Sequence, residues 1–379
     1  MHLSYLPLQH GLERIWVYIA LSNGTHIRYY SGSVQELVKD LARVRPTVLP
    51  IVPRLLNMFY SMMSTFPWVD KKTAEEAWKV KLDNSKKGIL TSEYDEKVFK
   101  RIKDTFGGRV RYMVTGSAPV SSDVLEFFMV CLGCDIREGY GQTETTAATW
   151  MTRKGEKRAG HVGGITKCVE FKLVDIPEMH YTSDEKPPRG EICVRGITIF
   201  PGYFKDKAHT DEAIDAEGWH HTGDVGLLEE DGALRIIDRK KNIYKLSQGE
   251  YIAPEKIENV YLRCPFVAEC FVYGHSLESY NIAIVVPNKD LLLKIAGEKG
   301  LKGSYEELCE NPALVKFLLE KIQEQGKHDG LVGFEQVKKI KLHPTSFAAK
   351  NLVTTTMKLQ RHLAKKAFEN EIAALYKST

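Results

Sequence analysis

The sequence lacks the features that would place it across a membrane or outside the cell. No apolar run approaches the ~20 residues that a transmembrane helix needs. The first residues, MHLSYLPLQHGLER, lack the basic region and apolar core of a secretory signal. The last three, Lys377-Ser378-Thr379, do not form a peroxisomal targeting tripeptide. We therefore expect any membrane contact to be peripheral, or to use a segment outside this sequence.

Cysteine is also sparse, and its pattern argues against a disulfide framework. The chain has 7 cysteines, an odd number without dense spacing, which favours a reducing, intracellular compartment. Cys131 and Cys134 form a lone CxxC pair. Because neither a second pair nor histidines at ligand spacing follow nearby, we expect a structural role for these cysteines and no zinc.

The chain has no excess of charge of one sign. It contains 53 Lys and Arg against 49 Asp and Glu, a net charge of +4. Since the two signs are interleaved, we expect no nucleic-acid partner. A short basic run such as Arg239-Lys240-Lys241 could contact phosphate or an acidic membrane, although a solvated surface is its commoner role.

The length and patterning predict several domains. With 379 residues and 43% apolar content, the chain can form two or three cores. Strands at Arg109–Thr115 and Cys134–Arg137 flank a helix, which predicts a parallel α/β sheet within residues 1–159. Short alternating stretches predict a small antiparallel β subdomain over 160–238. Mixed helices and strands predict an α+β domain over 239–379.

The segment EGYGQTE at Glu138–Glu144 follows the second of these strands, where open α/β sheets place their ligands. Tyr140 can stack on a base, Thr143 can bind a phosphate oxygen, and Glu144 can hold Mg²⁺. The segment matches neither GxGxxG nor a Walker loop. Taken alone, it fits a turn with a solvated glutamate equally well.

The segment GWHHTGD ends in Asp224. A carboxylate between two strands can accept both hydroxyl groups of a ribose, although aspartate is also common in β-turns. His220 and His221 are adjacent, so we expect them on opposite faces of a strand and not at a shared metal.

A charged stretch at the predicted domain change contains Asp238, Arg239, Lys245 and Gly249. Such a stretch can act as a hinge, and its cations can contact ribose or phosphate. A solvated linker is the alternative. Lys358 follows three threonines near the C-terminus, and in isolation it would be assigned to the surface.

Together these segments resemble the eukaryotic long-chain acyl-CoA synthetases of the adenylate-forming superfamily, over essentially the whole chain. The resemblance implies an α/β fold: a partial adenylate-forming N-terminal domain, made of a parallel α/β sheet and a small β subdomain, and a mobile C-terminal α+β domain. The segments that carry it are SYLPLQHGLER (Ser4–Arg14), RPTVLPIVPRLLN (Arg45–Asn57), TGSAPVS (Thr115–Ser121), YGQTE, TGD, DRKKNIYKLSQGEYIAPEKIE (Asp238–Glu258), NIAIVVP (Asn281–Pro287) and the late TTTMKLQR (Thr354–Arg361).

The family's reaction has two steps, which the resemblance implies for this chain. A long-chain fatty acid attacks the α-phosphate of Mg²⁺-bound ATP, giving acyl-AMP and pyrophosphate. The thiol of CoA then attacks acyl-AMP, giving acyl-CoA and AMP. The implied cofactors and partners are therefore ATP or AMP, Mg²⁺, CoA and a long-chain fatty acid.

The resemblance also assigns roles by motif. In the first step, Lys358 would neutralise charge on the carboxylate and α-phosphate. The C-terminal domain would then rotate about Asp238, bringing the segment of Lys245 and Gly249 to the site, with Gly249 leaving room for pantetheine. The remaining roles are adenine and acyl-pocket contacts for Gly116, Ser117 and Ala118, adenine stacking for Tyr140, α-phosphate binding for Thr143, Mg²⁺ binding for Glu144, ribose binding for Asp224, ribose or phosphate binding for Arg239, and the border of the acyl channel for His10.

Two departures from the family pattern affect these expectations. Thr355 stands where the family usually has proline, which should loosen the late-lysine loop. The Ser/Thr/Gly/Lys-rich phosphate loop has no match, so adenylation by this chain alone should be slow or fail. The alternative is a non-catalytic, truncated homologue that binds nucleotide or acyl ligand. A luciferase-like or aryl-acid ligase is disfavoured by QGEYIAPEKIE. Family localisation implies the cytosolic face of the endoplasmic reticulum or another organelle membrane, or the cytoplasm without an anchor.

Overall fold

The computed structural model describes residues 1–33, 36–354 and 356–377. The chain forms two compact units, Met1–Ile236 and Ile237–Thr379. This division falls two residues before the predicted change of domain after Asp238. The threefold division predicted from the sequence stays a prediction. Among the described residues, no helix combines the length and apolar character that crossing a bilayer requires.

The first unit is built on a seven-stranded sheet in the order β2-β1-β3-β4-β5-β6-β7. The first five strands pair in parallel, and β6 and β7 add an antiparallel edge. Although β7 follows the predicted boundary at residue 160, it completes this sheet. The strands are β1 (His2–Ser4), β2 (Ile27–Tyr29), β3 (Val48–Ile51), β4 (Tyr112–Gly116), β5 (Asp135–Tyr140), β6 (Trp150–Met151) and β7 (Gly164–Ile165).

Helices bury apolar faces against this sheet. Within α6, seven side chains are buried, and Phe127 and Phe128 join an aromatic cluster with Phe66 and Phe106. Burial of such side chains stabilises the fold by about 1.5–3 kcal/mol each. The helices of the unit are α1 (Gly11–Ser22), α2 (Leu37–Val44), α3 (Pro53–Met63), α4 (Lys71–Lys86), α5 (Lys100–Thr105), α6 (Ser122–Leu132) and α7 (Lys207–Ala213).

A four-stranded antiparallel sheet follows, in the order β11-β10-β9-β8. Its own core contains Trp150, Ile192, Val194 and Leu234. The pairing of β9 with β10 shifts register between His221 and Val225, so the TGD residues form a bulge. The strands are β8 (Val169–Val174), β9 (Arg189–Gly196), β10 (His220–Leu228) and β11 (Leu234–Arg239).

The second unit is α+β, as the sequence pattern predicts. A short hairpin joins β12 (Tyr244–Lys245) to β13 (Tyr251–Ile252), and a three-stranded sheet has the order β14-β15-β16. The central strand β15 is buried along its whole length. The elements are α8 (Pro254–Tyr261), β14 (Val267–Tyr273), β15 (Asn281–Pro287), α9 (Lys289–Glu298), α10 (Tyr305–Cys309), α11 (Pro312–His328), β16 (Val337–Leu342), α12 (Arg361–Ala367) and α13 (Glu369–Lys377).

Candidate active site

Two predicted ligand-binding segments lie at the ends of adjacent parallel strands of the first unit. The second strand, β5, runs to Tyr140, three residues beyond its predicted end at Arg137. Gly116, the last residue of β4, pairs with Gly139 of β5. Ser117 then turns away with a φ of 73° and an exposed side chain, while Ala118 is half-buried. Because parallel strands end at the same edge of a sheet, the segments after β4 and β5 share one rim, where open α/β folds bind ligands.

The loop after β5 folds tightly back on itself. A Cβ atom on Gly141 would lie 1.7 Å from the carbonyl oxygen of Ala147, so only glycine fits there. The Gln142 N–H donates to Thr145 Oγ1 at 2.9 Å, which fixes the short turn that presents the exposed Thr143.

The first helix begins against this loop. A Cβ atom built on Gly11 would lie 2.9 Å from Ala147 Cβ, so the start of α1 contacts the loop directly. The preceding residue, His10, is the N-terminal cap of that helix. Its Nδ1 is buried without a hydrogen-bond partner among the described residues, and burial lowers the pKa of the imidazole. His10 therefore borders the predicted nucleotide loop, and its place at an acyl channel stays a prediction.

Asp224 joins the loop to the small sheet. Its Oδ2 accepts hydrogen bonds from the Tyr140 hydroxyl at 2.7 Å and from Gln142 Nε2 at 2.5 Å. The residue is 4% exposed, which is unlike the solvated β-turn aspartate that the sequence left open. The TGD bulge thus brings a buried carboxylate to the residue predicted to stack on adenine.

The other end of the motif is bound by an aromatic segment. Glu144 Oε1 accepts a hydrogen bond from the Tyr203 hydroxyl at 2.8 Å, and the Glu144 carbonyl accepts one from the Phe200 N–H at 2.8 Å. Burial and the nearby Glu144 raise the pKa of Tyr203 to about 12, so the phenol stays protonated and donates. The half-buried carboxylate supplies the hard oxygen ligand that Mg²⁺ prefers, and the residues present fit that ion.

His220 lies behind the motif and contacts it from β10. Its Nε2 is 3.2 Å from Gln142 Oε1 and its Nδ1 is 3.1 Å from the Ala213 carbonyl. Burial lowers the pKa of this imidazole. His221 makes different contacts, with Cys193 and Asp215, as expected for neighbours on opposite faces of a strand.

In the second unit, Asp238 is a buried cap and not a solvated linker residue. It is 1% exposed. Its Oδ1 accepts from the Arg239 N–H at 2.6 Å, and its Oδ2 accepts from the Glu255 N–H in the first turn of α8 at 3.1 Å. Asn242 Nδ2 lies 3.4 Å from Asp238 and 3.1 Å from Glu255. Burial, followed by the charge of Glu255, raises the pKa of Asp238 to about 7.

Lys245 and Gly249 lie together in the short hairpin. The Lys245 ammonium sits 5.1 Å from the centre of the Tyr251 ring, and a Cβ atom on Gly249 would lie 3.8 Å from Lys245 Cε. Gly249 has a φ of 104°, a left-handed conformation that disfavours other residues. The glycine is therefore required by its backbone, and its role in admitting pantetheine stays a prediction.

Lys358 lies on a closed loop of the second unit. Val353 and Leu359 pair as an antiparallel bridge, and the Thr354 N–H donates to the Lys358 carbonyl at 2.8 Å. The Lys358 N–H donates to Thr354 Oγ1 at 3.1 Å. Thr355, the departure from the family pattern, lies outside the described residues.

Sequence reasoning missed three residues that hold predicted site residues in place: Gln142 and Tyr203 in the first unit, and Asn242 in the second. Gln142 lies within the predicted motif, so its amide could have been considered beside Tyr140 and Glu144. Asn242 lies in the DRKKNIYK segment but was given no role, and Tyr203 lies in no quoted segment. Their contacts join positions that are 13 and 59 residues apart along the chain.

Comparison with known families gives matches to both units. The model of the AMP-binding enzyme family matches residues 1–204, and the model of the AMP-binding enzyme C-terminal domain matches residues 256–317. The human long-chain-fatty-acid–CoA ligase 1 is 45% identical over 99% of this chain and 54% of its own length. The Arabidopsis thaliana long chain acyl-CoA synthetase 7, peroxisomal, is 43% identical over 99% of this chain and 55% of its own length.

Solved structures give the same fold. The adenylation domain of a carboxylate reductase from Mycobacterium chelonae has a TM-score of 0.81 at 29% identity, covering 99% of this chain and 54% of that domain. The corresponding domain from Segniliparus rugosus, solved with AMP and a co-purified carboxylic acid, has a TM-score of 0.81 at 28% identity, covering 99% and 54%. The chain spans about half the length of the curated relatives that it matches. Its α/β adenylate-forming fold and the family match over more than half of its residues show that this chain belongs to the AMP-binding enzyme family.

Proposed function

We propose that this chain carries the nucleotide site and the mobile domain of a long-chain fatty-acid–CoA ligase. The reaction would convert fatty acid, ATP and CoA into acyl-CoA, AMP and pyrophosphate through an acyl-adenylate. The observation that carries the proposal is the junction of Asp224 with Tyr140 and Gln142, beside Thr143 and Glu144. Support comes from the names of the relatives, which are fatty-acid–CoA ligases.

Asp224 would recognise the ribose. Its Oδ2 holds the Tyr140 hydroxyl and Gln142 amide, and a carboxylate has further lone pairs for the ribose hydroxyls. Because Asp224 is 4% exposed, hydrogen bonds to its charge would be strong and directional. The Tyr140 bond would also fix the ring against which adenine stacks, with Gly116, Ser117 and Ala118 on the neighbouring loop.

Thr143 and Glu144 would act on the phosphates. The exposed Thr143 hydroxyl would donate to an α-phosphate oxygen, and Glu144, oriented by Tyr203, would hold Mg²⁺. When bound, that ion would neutralise the negative charge of the ATP phosphates. The role of Thr143 and Glu144 would be limited to positioning the phosphates and this ion.

The second unit would supply the cations. Lys358 would stabilise the negative charge that develops during adenylate formation, an effect that a preorganised cation achieves efficiently. Lys245, with Gly249, would serve the CoA-dependent step, Arg239 would bind ribose or phosphate, and Asp238 would be the hinge. The bordering residue His10 would face the acyl chain. Because some relatives are named peroxisomal, the proposed location is an organelle surface, with peripheral membrane contact. We propose no nucleic-acid partner.

A two-part assay on the purified chain tests this function. One part follows AMP release from ATP, palmitate and CoA, and the other follows palmitoyl-CoA formation from supplied palmitoyl-AMP. We expect the second activity, with weak or no first activity in the absence of a phosphate loop. Activity in neither, together with no thermal shift on adding AMP, would refute the proposal. A thermal shift by AMP without either activity would instead favour a non-catalytic nucleotide-binding homologue.

Substitution of the junction tests the site itself. We expect Asp224→Asn to weaken AMP binding by about 10–100-fold, because hydrogen bonds to a buried charge contribute about 1.5–3 kcal/mol. Asp231→Asn is the matched control, since Asp231 is exposed, lies in the turn between β10 and β11, and pairs with Arg158. Equal AMP affinity of the two variants in calorimetry would contradict the ribose assignment.

A further inference from the structure

Three side chains with metal-binding atoms converge on the small sheet of the first unit, next to the TGD bulge and distinct from the residues of the junction described above. Glu191 and Cys193 lie two residues apart on β9, hence on one face, and His221 pairs directly with Cys193 across the sheet. Cys193 Sγ is 3.4 Å from His221 Nδ1, and Glu191 Oε1 is 3.8 Å from the same nitrogen. All three donor atoms lie within 4.8 Å of one another.

These distances match those of a tetrahedral metal site. With Zn–S near 2.3 Å and Zn–N and Zn–O near 2.0–2.1 Å, tetrahedral angles place sulfur and nitrogen about 3.6 Å apart and nitrogen and oxygen about 3.4 Å apart. The observed separations, 3.4 Å and 3.8 Å, differ from these by a few tenths of an ångström. Side-chain rotation alone can provide such a change.

A fourth side chain prepares the histidine for a metal. Asp215 Oδ2 lies 3.2 Å from His221 Nε2, and its Oδ1 accepts from the N–H groups of Glu217 and Trp219. Asp215 is thereby placed to accept the Nε2 proton of His221. The lone pair of His221 then lies on Nδ1, facing Cys193. Metal-bound histidines in proteins are held in this way by a carboxylate on their other nitrogen.

We propose that Glu191, Cys193 and His221 bind a divalent transition metal, with Zn²⁺ as the ion that best suits one thiolate, one imidazole and one carboxylate. On binding, the Cys193 thiol would release its proton to solvent, and the metal would take the position of that proton between Sγ and Nδ1. A water molecule would occupy the fourth position. The charges of the Cys193 thiolate, the Glu191 carboxylate and the divalent ion sum to zero, which suits a largely buried site. Within the described ranges, this is the one such trio of donors.

The metal site would link β9 and β10 next to the bulge in their pairing. Glu191 Oε1 also accepts from the Gly223 N–H at 3.2 Å, and Gly223 lies in the bulge after His221. A metal held by β9 and β10 would therefore stabilise the folded first unit, since binding to the native state alone raises the free energy of unfolding. The proposal does not depend on any nucleotide role of this bulge.

Cobalt titration tests the site, because Co²⁺ replaces Zn²⁺ in tetrahedral sites and reports its ligands by absorption. The reduced, chelator-treated 379-residue chain is titrated with Co²⁺ and then with Zn²⁺ as competitor. We expect one equivalent of Co²⁺ to give thiolate-to-metal charge-transfer and intense visible bands, which Zn²⁺ abolishes, together with a rise in Tm. Cys193→Ser should remove the charge-transfer band, and Asp215→Asn should weaken binding by about 10–100-fold.

Two controls separate this site from adventitious binding. Cys168→Ser removes a partly buried thiol next to the same sheet. His209→Asn removes a histidine that pairs with the Asp206 carboxylate at 2.7 Å. Both should bind Co²⁺ as the parent does. Retention of the band in Cys193→Ser, equal loss in Cys168→Ser, or no saturable binding by the parent chain would overturn the proposal. If Cys193→Ser fails to fold, His221→Asn, at a partly exposed position, decides the same question.

Discussion

Glu138, the first residue of the EGYGQTE motif, makes the stability of the first unit depend on pH. The residue is 7% exposed, and its Oε2 is buried without a hydrogen-bond partner among the described residues. Burial raises its pKa from 4.5 to about 8. The folded state therefore holds a proton on Glu138 over a pH range in which the unfolded chain has released it.

The sign and size follow from proton linkage. Below about pH 4.5 both states are protonated and the difference vanishes, whereas above about pH 8 the folded state must bury a charge. Between these limits the free energy of unfolding falls as pH rises, by about 1.4 kcal/mol per pH unit for one proton. Over the whole pH range, the free energy of unfolding would fall by about 5 kcal/mol. Relaxation of the protein around the buried charge reduces this loss to about 3 kcal/mol. Glu138→Gln removes the titration and with it this slope.

Urea unfolding at several pH values between about 5 and 8 measures the effect. All 5 tryptophans precede residue 237, so their fluorescence reports the first unit alone. One of them, the buried Trp150, is the β6 residue that pairs with Tyr140 of β5. We expect the parent to lose stability across this window faster than Glu138→Gln does. Glu126→Gln, at an exposed position of α6, should leave the slope unchanged. Equal slopes for parent and Glu138→Gln, or a steeper slope for the variant, would refute the reasoning.

Three further substitutions test the packing and the proposed chemistry. Gly141→Ala should destabilise the first unit by about 3 kcal/mol or more through overpacking, whereas Gly164→Ala, with open space around its Cβ position, should cost far less in the same urea assay. Lys358→Ala should leave thioester formation from palmitoyl-AMP unchanged, because the role proposed for this lysine is confined to adenylate formation; a large loss of thioester formation would contradict that role. Tyr140→Phe removes one bond to Asp224 and should weaken AMP binding by about tenfold, as measured by calorimetry; unchanged affinity would show that this hydroxyl does not matter.

The parts of the fold that could be predicted are those with strong local patterns. The run RVRYMVT predicts a strand from Arg109, and the structure begins it at Tyr112, because the preceding backbone bonds to Thr47 outside the regular ladder. The short strands His2–Ser4 and Ile27–Tyr29 were not predicted, since three residues are too few to show alternation. The strand Val337–Leu342, which pairs with the central strand β15, contains three lysines among six residues. These lysines make its buried positions hard to recognise from the sequence.

The candidate site divides in the same way. Glycine and carboxylate positions within EGYGQTE and TGD could be identified locally, because each segment supplies a recognisable combination of groups. The contact between these two segments could not be predicted. Gln142 and Asp224 are 82 residues apart and meet only because the large sheet and the small sheet lie next to each other. The cluster of Glu191, Cys193 and His221 was missed for a related reason. A search for ligands at close sequence spacing does not detect donors that strand register brings together.

The contacts of Asp238 constrain how a hinge at this residue could work. Both carboxylate oxygens accept backbone hydrogen bonds from residues that follow it, Arg239 and Glu255. Because these bonds fix the Asp238 side chain to the start of α8, a rotation that changed the torsions of this residue would disturb the cap. The hinge role that the family resemblance implies for Asp238 stays a prediction. A substitution here would remove a helix cap and lower the stability of the second unit, whether or not the units rotate.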